Sequence, residues 1–109
     1  MAAVPSIADL HRFYDYPFDK ELEDVGADRR LKGLDELSLV SYIIQLRDHI
    51  PRMVTEIVPY KKEWEEAKKN GAVPGNSGGK WYDYIQIHRR IHNEIADLHE
   101  CYKLQAEMN

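Results

Sequence analysis

The sequence predicts an all-α fold: a long antiparallel two-helix hairpin with a coiled-coil-like seam and a short N-terminal helical arm, dimerising into a helical bundle. Three observations predict it. Apolar residues recur at helical spacing along two long runs, 39–64 and 81–102. A single glycine-rich segment, residues 70–79, separates the runs. Helix-start signals stand ahead of the arm's helix, at Ser6, and ahead of the first long run, at Asp35.

The arm, residues 1–34, comes first. Ser6 followed by Asp9 is a capping-box signature. It predicts a helix over 7–14 with Ile7, Leu10, Phe13 and Tyr14 on one side. Tyr16-Pro17 ends it, because the residue before proline is pushed out of the α region. Residues 19–34 are acidic, with Gly26 and Gly33 as breakers, and read as an irregular arm or a short helix.

The hairpin, residues 35–109, follows. From Leu39 the apolar positions are Ile43, Leu46, Ile50, Met53, Ile57, Tyr60 and Trp64, alternating steps of four and three. That is a heptad seam. Pro51 and Pro59 fall inside this run and each removes an amide donor. Because the seam keeps step across both, a kinked helix is expected rather than a broken one. Lys68 and Lys69 suit the negative end of the helix dipole, and Asn70-Gly71 supplies a left-handed stop. After the turn, Trp81, Tyr84, His88, Ile91, Ile95, Leu98 and Tyr102 repeat the heptad spacing. Centring the turn on Pro74 sets Tyr60 against His88 and Met53 against Ile95.

Composition limits the function. The 109 residues carry a net charge of −4, and the whole excess lies in residues 1–36. An acidic chain with only short basic pairs, Arg29-Arg30 and Arg89-Arg90, argues against nucleic acid as a partner. No run of apolar residues is long enough to span a membrane. The first residues lack the basic and apolar regions of a secretory signal, so a cytoplasmic location is expected. One cysteine, Cys101, excludes an internal disulfide and lies off the seam, with no local partner for nucleophilic work.

Two helices cannot enclose all the apolar surface here. A second flank, Val40, Ile44, Val54 and Val58, is too broad for one seam. Its cover is the arm, a second copy, or a different protein. The aromatics Phe13, Tyr14, Tyr16 and Phe18 resemble a docking segment. These eight residues are the expected protein-binding set of a non-enzymatic interaction module, an adaptor, assembly factor or inhibitor, acting as a homodimer or as a subunit of a larger complex. No cofactor is needed.

The alternative is enzymatic. Glu63 and Glu66 form E-x-x-E, and Glu94 and Asp97 form E-x-x-D. Carboxylates three apart share a helix face, and four of them from two helices suit Mg²⁺. This pattern, over about 35 residues, resembles the all-α nucleoside triphosphate pyrophosphohydrolases of the MazG-like and dimeric dUTPase kind. The resemblance implies that these four residues bind the metal on a helical dimer. His88, His92 and His99 form a stripe that suits metal binding, pH sensing or the seam itself, with His88 bonded to Tyr60. Residues 75–80 resemble a phosphate loop only faintly, since proline precedes and tryptophan follows them. A hairpin turn is the expected reading.

Overall fold

A computed structural model of the chain describes residues 4–17, 31–73 and 79–108. Three helices are described: α1 (Ile7–Phe13), α2 (Glu36–Lys69) and α3 (Lys80–Met108). No strand occurs among the described residues, and no helix there is long and apolar enough to cross a membrane.

α1 and α2 start where side chains satisfy the free amides. Ser6 and Asp9 form the reciprocal capping box of α1. The Asp35 carboxylate accepts from the Ser38 amide at 2.7 Å and caps α2. These bonds hold both carboxyls below their ordinary range. Gly71, with φ at +92°, stops α2 in the left-handed region that glycine enters without strain. The rest of the expected turn, residues 74–78, lies outside the described residues, as do 18–30 of the arm.

α2 runs unbroken through Pro51 and Pro59. Both prolines stand on exposed positions. The carbonyls they leave without a ladder bond, those of Arg47 and Thr55, therefore sit on the water side of the helix.

α2 and α3 pack together along the predicted seam. Leu39, Ile43, Leu46, Ile50, Met53 and Ile57 of α2 are buried in one cluster with Ile91, Ile95 and Leu98 of α3, and Trp64 is buried further along α2. The bonds between the helices differ from the register expected from Pro74. That register sets His49 against His99, but His49 is bonded to Glu94. His99 instead donates to the Pro5 carbonyl at 2.8 Å. His88 is bonded to Tyr16 of the arm, not the bond to Tyr60 that the seam suggests.

α1 packs on α3. Leu10, Tyr16 and Leu31 join the same core as the hairpin. The buried arc of α3 reaches beyond its seam to His92, whose ring meets His11 of α1, and to Ile85, Ala96, Asp97 and Cys101. Cys101, expected off the seam, is fully buried in the common core. Phe13, expected on the packed side of α1, is 73% exposed.

Candidate interaction surface

The seam uses one side of α2. At 100° per residue, Leu37, Val40, Ile44, Pro51, Thr55 and Val58 fall about 130° away from it. α1 does not lie along them, since it docks on α3. Leu37 is 80% exposed, Ile44 64% and Val58 60%, and Val40 is the least exposed of the four. Pro51 and Thr55 are exposed between them. The Thr55 hydroxyl donates back to the Pro51 carbonyl at 3.1 Å, so its hydrogen bond is made within the helix. The result is an apolar row on the outer face of α2.

The expected binding set is divided by the structure. Val40, Ile44 and Val58 stand in the row. Val54 sits nearer the seam and packs against the core half-buried. Of the aromatics, Phe13 is exposed, Tyr14 is half-buried and Tyr16 is buried. Tyr16 is thus a core residue, since its ring fills the joint between arm and hairpin. Phe18 lies outside the described residues. Leu37, Pro51 and Thr55 complete the row and were not in the expected set. Their signal was present as a second three-and-four spacing beside the seam.

The arm is held by histidines. His11 of α1 and His92 of α3 stand with ring centroids 5.1 Å apart. His88 stacks on Tyr84 at 5.4 Å and is bonded to the Tyr16 hydroxyl. His11 Nδ1 donates to the Tyr16 carbonyl at 3.3 Å. His11, His88 and His92 are all buried. Burial, then the nearby His92 and His11, lower the His88 pKa to about 4. Two of the three histidines of the expected stripe, His88 and His92, therefore join α1 to α3, and His99 reaches the residue before its cap. His11 was missed because its partners lie some eighty positions away.

The four carboxylates do not converge within the chain. The Tyr42 hydroxyl donates to buried Asp97 at 2.6 Å, and His49 Nδ1 donates to half-buried Glu94 at 2.7 Å. Glu63 and Glu66 are exposed. Glu63 lies 14 residues from His49, or about 21 Å along α2 at 1.5 Å per residue. Among the described residues no group of three or more His, Cys, Asp or Glu is placed to hold a metal ion. The Tyr42–Asp97 and His49–Glu94 pairs tie α2 to α3 beside the seam.

A cleft of about 380 Å³ opens where α1 meets the hairpin, between Leu10, Tyr14, Arg47 and Tyr102. Burial, with Tyr102 nearby, raises the Tyr14 pKa against the lowering effect of Arg47. The Cys101 thiol, beside Asp97 and Glu100, is pushed up to about 11, chiefly by burial. No protein-family model matches the chain, and comparison with curated proteins and with solved structures finds no match either.

Proposed function

We propose that this chain is a non-enzymatic protein–protein interaction module of the cytoplasm, an adaptor, assembly factor or inhibitor, which binds through the outer row of α2. One observation carries this reading. Four large apolar side chains, Leu37, Val40, Ile44 and Val58, stand exposed on one stripe of a helix whose opposite side is fully packed. An exposed apolar row of this kind marks an interaction surface. Phe13 of the arm adds an exposed aromatic ring, which lines the cleft beside Arg47.

Replacing Ile44 and Val58 by Glu tests the reading. Both positions are exposed, so helix content by circular dichroism should not change. Self-association or protein capture by the immobilised chain should fall by at least about tenfold, as burying a charge in an apolar contact demands. Unchanged association and capture by the double variant would remove the row as the binding surface.

A further inference from the structure

We propose that the outer row of α2 is a self-complementary interface, occupied by a second copy of this chain packed antiparallel. The two-fold axis passes between Arg47 and Asp48. The inference rests on the reading of the row as a binding surface and names its occupant.

The spacing of the row carries the argument. Leu37, Val40, Ile44, Pro51, Thr55 and Val58 are separated by 3, 4, 7, 4 and 3 positions. The series is the same in both directions. A two-fold interface brings the same patch of each subunit together. Reversal about the midpoint lays Leu37 on the partner's Val58, Val40 on the partner's Thr55 and Ile44 on the partner's Pro51. The two-fold repeats each contact, giving six layers. All six side chains are exposed, and the hydroxyl of Thr55 is already bonded within its own helix.

Charge agrees with this pairing. In an antiparallel two-fold pair, each edge of the row meets the same edge of the other copy. Glu36 and Lys61 share an edge, at about 260° and 240° on the helical wheel. Glu36 falls level with the partner's Pro59, two residues from the partner's Lys61, or about 3 Å along the axis. The acidic first turn of each α2 thus meets a lysine of the other, twice. At the axis itself Arg47 and Asp48 lie on opposite edges, each beside its own counterpart. Asp48 is already neutralised by Arg52 at 3.1 Å. Arg47 is exposed and can keep its guanidinium in water.

The row spans 21 positions, about 32 Å, and a helix about 10 Å wide gives a patch of about 300 Å². That matches the larger functional patches of monomers, and falls short of the roughly 800 Å² per partner of a standard interface. The expected dimer is therefore weak, with Kd in the micromolar range, on the order of 10 µM.

Cross-linking tests the register. Leu37→Cys and Val58→Cys are made separately in the full chain and oxidised alone and as a mixture. Cys101 is fully buried and does not contribute. The mixture should give a disulfide-linked dimer of one chain of each variant. Either variant alone should give little, because its own counterpart lies about 32 Å away. Sedimentation of the wild type between about 5 and 300 µM should show a monomer–dimer equilibrium that Ile44→Glu abolishes. A chain that stays monomeric throughout, or variants that cross-link to themselves as readily as to each other, overturns the proposal. If the monomeric chain still captures other proteins in an Ile44-dependent way, only the second copy is excluded and the interaction reading stands. If that capture is also absent, both fall.

Discussion

His88 sits neutral at the joint between arm and hairpin. It faces His11 from α1, His92 from its own helix, and the hydroxyl of Tyr16. The unfolded chain takes up a proton there as pH falls through about 6.5, whereas the folded chain resists until about 4. A depressed histidine contributes stability that is complete above pH 6.5 and is lost as pH falls toward 4. We expect the unfolding free energy from urea titration to drop across that window, by about 2 kcal/mol after allowing for solvent screening. His88→Gln, which stays neutral, should show a shallower slope in the same titration. An equal slope would assign the pH response to other groups. At the seam, Ile95→Ala removes a fully buried side chain and should destabilise by about 2–5 kcal/mol in the same assay.

The elements show which features local spacing encodes. The seam of α2 was legible because burial on one face selects apolar residues every three and four positions. The continuity of α2 through two prolines was legible for the same reason, since a break would free the seam to fall out of step. The second buried face of α3 was not. It includes His92, whose contact with His11 of α1 leaves no periodic trace in either helix. The partners of the carboxylates leave no periodic trace either. Glu94 and Asp97 do lie close to α2, but opposite His49 and Tyr42. Spacing within one helix cannot report its register against another. Val54 was assigned to the outer flank because it is apolar. It lies about 60° from the centre of the row, close enough to the seam to be half-buried. At this scale Pro59→Ala makes a clean test of the proline argument. Position 59 is exposed and outside the row. Restoring its amide should raise stability by about 1–3 kcal/mol, read by thermal or urea unfolding. No gain would mean that the helix is already distorted at Pro59 to suit its neighbours.

The whole molecule is elongated. Its extents are 52 × 23 × 20 Å and its radius of gyration is 15.8 Å, against about 13 Å for a compact chain of this length. One helix, α2, sets the long dimension, about 51 Å for its 34 residues. A rod of this shape offers side contacts of greater area than its ends. The proposed dimer axis lies about five residues from the middle of α2, so the second copy is displaced by about ten residues, or about 15 Å. Small-angle scattering at high concentration should therefore give a longest dimension of about 65–70 Å. An end-to-end pair would approach 100 Å, and that result would exclude the lateral arrangement.

The single cysteine has a consequence for how this molecule can be watched in solution. Cys101 is fully buried, and its thiol is pushed up to about 11. Near neutral pH an alkylating reagent meets neither an accessible sulfur nor a thiolate. Reaction must wait until the described helices part. The rate of labelling therefore counts openings of the core, with no dye or tag added. If labelling slows as protein concentration rises, the second copy is acting as a clasp on the whole bundle.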